Sequence, residues 1–378
     1  MNILLTGGRA PATLDLARAF HRAGHNVFMA ESLRGHLSQP SAAVKANFVV
    51  PAPRQNKEAF LAALKKIIIE NQIDLLIPTC EEIFYISMGR GQLPCKVFAE
   101  PIKKLNQFHN KWNFVVNAIG LDLYAPETIL INSQEDLLHA YAHWRELVLK
   151  PIYSRFAART LILPPLQMAL STLRFDSPWI AQELIDGRQY CSYSVCHGGV
   201  VHAHTAYPSR FTAGQGAAIT FEHVEHPAIF TWVKTFVREN NFTGQIAFDF
   251  IQTADGLLFA LECNPRATSG IHLLASHPQF VDAFLDPQPG CITPADKSTH
   301  MLSTAMLMYA LPTAIMDSQF LDWLKTFFTS NDVILNFRDP LPFFLQLRSV
   351  LAYLSLARKE GISALEASTF DIEWNGGK

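Results

Sequence analysis

Three oxygen-bearing side chains are spaced so that one hairpin gathers them: Asp249, Glu262 and Asn264, in the run "GQIAFDFIQTADGLLFALECNPR". Asp255-Gly256 between two alternating apolar segments predicts a two-residue type I′ turn. Ala254 then pairs with Leu257, and counting outwards sets Asp249 directly opposite Glu262. Side chains alternate between faces, so Glu262 and Asn264 point the way Asp249 points. Two carboxylates facing each other at about 5 Å repel unless a cation or a proton lies between them. Oxygen-only donors suit Mg²⁺ or Mn²⁺, which bind through a few carboxylates together with phosphate oxygens. The other reading is a solvated edge hairpin. The apolar neighbours on both faces, among them Phe248, Phe250, Leu258 and Leu261, argue for a covered sheet instead.

The elements that hold this hairpin follow an α/β pattern. "NILLTGG" and "APATLDLARAFHRAGHNVFMAES" read as strand, loop, amphipathic helix and second strand, with Pro11 in the first helical turn and Gly24 as the stop. "NKEAFLAALKKIIIENQ" and "IDLLIPT" repeat helix and buried strand, and this layer runs to about residue 105. "HNKWNFVVNAIG" is a short helix with Asn110 as N-cap. Strands follow in "ELVLKPIY", "PWIAQELIDG" and "RQYCSYSVCHGGVVHAHTAYP", then a helix in "PAIFTWVKTFVRENN". After Pro289 the pattern is mostly helical. Lys150 ends the apolar run "ELVLKP", where an ammonium needs an anionic partner. "TGGRAP" lies where a dinucleotide fingerprint would, but Arg9, Ala10 and Ala12 stand where glycines are needed, so a tight turn is favoured over a nicotinamide site.

A chain of 378 residues points to two or three packed domains. With 31 basic and 33 acidic residues it supplies no general field for nucleic acid or anionic lipid. Six scattered cysteines without zinc or C-x-x-C spacing fit a reducing cytosol, and the N-terminus lacks the charged region of a signal peptide. "LPFFLQLRSVLAYLSLA" begins with Leu341-Pro342 and is broken by Arg348, which argues against a membrane span. The expectation is a soluble, cytoplasmic protein.

The pairing of "FDFI" with "LECNPR", preceded by "LVLKP" and "AQELIDG", resembles the ATP-grasp superfamily of carboxylate ligases over about residues 1–275. The resemblance implies an ATP-grasp fold: an N-terminal Rossmann-like pre-ATP-grasp domain at 1–105, an ATP-grasp domain at 106–290 with its lid at about 125–185, and a mostly helical C-terminal region at 291–378. It implies that Asp249, Glu262 and Asn264 hold Mg²⁺ against the phosphates of ATP, and that Arg266, delivered where Pro265 stops the strand, faces the transferred phosphoryl. Phosphoryl transfer is mainly positioning and charge neutralisation, so metals and an arginine at one strand end are what it requires. By the same resemblance Lys150 and Lys111 contact phosphates, and the segment Gln182, Glu183 and Leu184 reads the adenine edge. Gln189 stands where relatives often place an acid on the ribose. A second departure is the segment "PIYSRFAARTLILPPL", which has no glycine where relatives carry a glycine-rich phosphate flap. Ser154, Arg155 and Arg159 could supply donors in its place. Arg210 is a further basic residue that could reach the phosphates.

Other groups remain open at this level. His202 and His204 share a strand face as a metal pair lacking a third ligand, Glu81 or Glu82 could assist nucleotide or cap a helix, and Ser269 and His272 could touch an acceptor. The implied reaction joins a small carboxylate to an amine or thiol through an acyl phosphate. The alternatives are an ATP-binding regulatory or scaffold protein without turnover and, less supported, a dehydrogenase. The apolar helices after residue 300 could supply a homodimer surface.

Overall fold

The computed structural model describes residues 1–155, 159–214 and 216–377. Its first layer is a parallel sheet of β1 (Asn2–Thr6), β2 (Asn26–Glu31), β3 (Ala46–Val49), β4 (Leu75–Ile77) and β5 (Lys96–Val97), in the order β3-β2-β1-β4-β5. Helices α1 (Pro11–Arg22), α2 (Lys57–Glu70), α3 (Glu82–Met88) and α4 (Ile102–His109) accompany it. Apolar side chains cover both faces, as a parallel sheet requires: Leu4, Phe28 and Leu76 on one, Ile3, Leu5 and Met29 on the other. Pro11 opens α1 and Gly24 follows its end with φ +83°. Gly7 has φ +75°, and a Cβ there would lie 2.5 Å from Thr79 Oγ1. The loops after β1 and β4 therefore pack together, which is why that turn needs glycine without any cofactor.

Helix α5 (Lys111–Gly120) starts on Asn110, whose side chain accepts a hydrogen bond from Asn113 N. An antiparallel sheet, β6-β9-β7-β8, follows, made of β6 (Thr128–Ile131), β7 (Leu147–Pro151), β8 (Leu161–Ile162) and β9 (Trp179–Glu183), with α6 (Gln134–His143) and α7 (Leu166–Thr172) against it. The third large sheet, β11-β10-β15-β16, is also antiparallel. Its strands are β10 (Arg188–His197), β11 (Val200–Pro208), β15 (Gly244–Gln252) and β16 (Leu258–Asn264). The short strands β12 (Thr212–Ala213), β13 (Ala217–Ala218) and β14 (Thr220–Phe221) lie between. Helix α8 (Pro227–Glu239) packs Trp232 and Phe236 onto Phe248 and Phe250 of β15. From residue 303 the chain is largely helical, ending in the long helix Leu341–Glu360, the short helix Ala364–Ala367 and a tail. Among the described residues no helix is long and apolar enough to cross a membrane, and all six cysteines are free.

The β15–β16 hairpin departs from the predicted two-residue turn. Thr253 O accepts from Gly256 N at 3.0 Å and Thr253 N donates to Leu257 O at 2.9 Å, and Gly256 takes φ +90°. That is a three-residue loop, a tight turn closed by a left-handed glycine, and it pairs Gln252 with Leu258, one residue off the predicted register. A bulge at Leu261 then inserts one residue, so that Asp249 pairs with Glu262 after all. Two one-residue deviations cancel. Burial explains the correction: Phe248, Phe250, Ala260 and Cys263 all belong to one core, and without the bulge Cys263 would turn away from it and Glu262 into it.

Candidate active site

The hairpin sets Asp249 beside Glu262 and Ala247 beside Asn264, so the two acids and the amide share one face. They line a cavity of about 330 Å³ between the β15–β16 face and the β7–β9 strands. Lys111, the first residue of α5, is buried and sets its Nζ 3.1 Å from Glu262 Oε2 and 3.3 Å from the Ser154 carbonyl. Lys150, near the end of β7, donates to Gln182 Oε1 at 2.8 Å, and Gln182 in turn donates to Thr128 Oγ1 at 3.0 Å. β9 therefore orients one lysine and α5 the other, both toward the acids.

Electrostatics favour a cation here. Burial and the facing Glu262 push Asp249 well above the usual carboxylate range. Burial also opposes charge on Glu262, yet the Lys111 ammonium, helped by Asp249 and Lys150, holds it well below that range. The pair therefore retains one proton and one charge, and the charge leans on a lysine. Burial pulls the Lys150 ammonium down to about 8. Two facing carboxylates and an amide, all oxygen donors, fit a hard divalent ion such as Mg²⁺ or Mn²⁺ entering in place of that proton. Among the described residues no cluster of three His, Cys, Asp or Glu side chains is placed to hold a metal ion. His204 instead bonds the Ser194 hydroxyl at 2.9 Å and His202 the Gln288 carbonyl at 3.3 Å, which removes the histidine pair.

The other sequence candidates separate. Glu183, Leu184 and Gln189 line the cavity together with the apolar Pro126, Val148 and Ile162. Ser154, Arg266, Thr268 and Ser269 line it as well. Arg266 Nη2 lies 3.3 Å from Asn264 Oδ1 and 3.8 Å from Glu81 Oε1, and its Nε has no partner among the described residues. Arg210 lies elsewhere: its guanidinium pairs with Asp322, which corrects the expectation that it reaches phosphates. His272 turns away to Asp15 at 2.7 Å and stacks near Phe221, so it does not face an acceptor. Of the flap segment, Phe156, Ala157 and Ala158 lie outside the described residues, and Arg159 is exposed.

Arg155 touches the cavity, but its donors are engaged. Nε and Nη2 reach Glu81 Oε2 at 2.6 and 2.5 Å, Nη1 reaches Glu373 Oε2 at 3.2 Å and Asn375 Oδ1 at 3.0 Å, and Nη2 also meets the Trp374 carbonyl. A guanidinium has five N–H donors; four of these are hydrogen-bonded, and Nη2 is also ion-paired to Glu81. Arg155 thus cannot replace a backbone phosphate nest in this conformation. The two glutamates after β4 also part company. Glu82 caps its own helix region, accepting from Thr6 Oγ1 at 2.6 Å, Thr79 N at 3.1 Å and Cys80 N at 3.0 Å. Glu81, held at about 2 chiefly by Arg155 against its burial, binds two arginines. The tail that supplies Glu373, Trp374 and Asn375 was invisible to sequence reasoning, since nothing in "DIEWNGG" marks a site.

Beside Glu81, burial pushes the imidazole of His109 down to about 3, and it does the same to His204 in the third sheet. Both rings are neutral in the fold and protonate near 6.5 when unfolded. Their contribution is complete above pH 6.5 and is lost as pH falls toward 3, by up to about 1.4 kcal/mol per pH unit for each ring. Urea midpoints measured from pH 7.5 to 4.5 should fall with this slope, and His109→Gln should flatten it by about half.

No protein-family model matches the sequence, and no curated protein sequence does. Solved structures do. An L-amino acid ligase from Bacillus licheniformis superposes with a TM-score of 0.60 at 14% identity, covering 76% of this chain and 74% of its own. An N5-carboxyaminoimidazole synthetase from Staphylococcus aureus, complexed with ADP, gives a TM-score of 0.66 at 10% identity over 84% and 86%. A biotin carboxylase from Campylobacter jejuni, in an ATP-type complex, gives 0.59 at 11% over 76% and 72%. At such identities the likeness establishes the fold.

Proposed function

We propose that this chain, which has the ATP-grasp fold with a Rossmann-like layer before it and a mostly helical region after it, is an ATP- and Mg²⁺-dependent carboxylate ligase. A carboxylate oxygen attacks the γ-phosphorus of ATP and ADP leaves. An amine or thiol then attacks the acyl carbon, losing its proton, and phosphate leaves. The observation that carries this reading is the pairing of Asp249 with Glu262 next to Asn264 and Arg266, with two lysines converging from α5 and β9-oriented β7.

Asp249, Glu262 and Asn264 would hold Mg²⁺, which neutralises phosphate oxygens when bound. Lys111, now 3.1 Å from Glu262, would be available to a phosphate oxygen if that carboxylate held the metal. Lys150 already lies in the cavity with an ammonium weakened by burial, so a phosphate anion restores its charge. Arg266, with an unpartnered Nε, meets the transferred group at the strand end. Glu183 and Leu184, which line the cavity together with Pro126, Val148 and Ile162, receive the base. Residues 106–290 carry the nucleotide, and the first sheet with the C-terminal helices shapes the acceptor side.

The engaged Arg155 and the glycine-free flap favour one second reading, a nucleotide-binding regulator without turnover. Positional isotope exchange in labelled ATP, run with a panel of amino acids, small carboxylates and bicarbonate, separates the two. A ligase scrambles the β–γ bridging oxygen and releases ADP. Tight Mg²⁺–ATP binding with neither event would leave the regulator.

A further inference from the structure

The C-terminal tail binds in two directions at once. Toward the first sheet it is held at many points. Asp371 pairs with Arg9 at 2.5 Å, Glu373 with Arg54 at 2.7 Å, and the Glu373 carbonyl accepts from Tyr85 Oη at 2.6 Å. Trp374 is 6% exposed; its ring stacks on Phe84 at 5.9 Å and meets Tyr85 edge-on at 5.3 Å. Its backbone N donates to Glu81 Oε2 at 2.9 Å and its Nε1 to Asn106 Oδ1 at 3.0 Å. Toward the cavity, by contrast, three successive tail residues converge on one side chain, Arg155. Gly376 closes the contact against Tyr153, where a Cβ would lie 2.6 Å from the ring.

Arg155 lies five residues past Lys150, and the residue before it, Ser154, offers its carbonyl to Lys111. The position of Arg155 therefore fixes where the chain leaving β7 runs and where that carbonyl sits. We propose that the tail Asp371–Asn375 is a positioning element of the nucleotide cavity, acting through Arg155 and Glu81 to hold the chain after β7 over the acids. The idea rests on the reading of that cavity as an ATP site. It also explains a flap without glycine: an edge held by a side-chain clamp needs no flexible backbone nest to find its place.

The test uses the full chain, a truncation after Glu373, Arg155→Ala, and the combination of these two. Hydrogen exchange at the amides of Ile152 to Arg155, measured without nucleotide, should quicken about tenfold in each single variant. KM for ATP should rise about tenfold, with kcat changed less than about threefold, because the clamp places ground-state contacts. The combination should be no worse than either alone, as for residues sharing one interaction. Gly376→Val, which removes no hydrogen bond yet pushes on Tyr153, should reproduce the exchange change. Unchanged exchange after truncation, or effects that multiply in the combination, would overturn the clamp. If instead exchange responds as expected but ATP does not bind, the clamp stands and the ligase reading fails.

Discussion

Glu262→Gln is expected to abolish turnover, lowering kcat/KM for ATP by at least about a thousandfold, while the protein stays folded. The amide keeps the shape of the carboxylate and an acceptor for Lys111, now 3.1 Å from Glu262. What disappears is the ionised member of the acid pair. Asp249, relieved of its facing charge, ionises more readily, so the site keeps one of the two carboxylates that would hold the proposed divalent ion. Lys111 is left buried beside a neutral group, which predicts a stability loss of about 1–3 kcal/mol. A Mn²⁺ titration followed by paramagnetic resonance reads the metal directly, and coupled ADP release reads turnover. Retention of metal-dependent ATP affinity within tenfold of the parent would refute the assignment of these acids.

The largest effect on stability is expected at a buried ion pair of the first sheet. Arg9→Met should lower unfolding free energy by about 3–5 kcal/mol, the usual result of stranding one member of a buried ion pair. Arg9 is 5% exposed and Glu31 3%, and the guanidinium reaches Glu31 Oε1 at 2.5 Å while also holding Asp371 and the Ser368 carbonyl. Glu31 is held at about 2 by that guanidinium against its burial. With Met in place the carboxylate must take up a proton or draw in water, and the tail loses an anchor. Arg9→Met combined with Glu31→Gln should recover a large part of the loss, because the more deeply buried of the two carboxylates no longer carries a bare charge. Equilibrium urea unfolding of the four proteins completes the cycle. A single-variant loss below about 1 kcal/mol would mean that the pair is solvated in solution.

Much of this arrangement was legible in local pattern. The helix beginning at Pro11, the Asn110 cap and the alternating hairpin strands are set by neighbours within a few residues, so short-range chemistry suffices to read them. The facing acids were legible for a subtler reason. Side-chain alternation makes only parity matter, and the core demand of Phe248, Phe250 and Cys263 forces that parity even though the turn was a three-residue loop and a bulge had to correct it.

The partners of the basic residues were not legible. Lys111, Lys150 and Arg266 gather at the acids, whereas Arg210 pairs with Asp322 and Arg155 with Glu81 and the tail; the apolar run before Lys150 and the strand end before Arg266 hinted at their place, but nothing in the segments of Arg155 and Arg210 named their anions. Long charged side chains choose among whatever anions folding brings near, and those lie far off in sequence: 218 positions separate Arg155 from Glu373 and 362 separate Arg9 from Asp371. The amino-acid order by itself therefore determined the strands, the helices and the common face of Asp249, Glu262 and Asn264, because these depend on a period of two or of 3.6. Only the tertiary structure decided which cations serve that face and which serve the scaffold, because ion pairing follows distance in space and no periodicity records it.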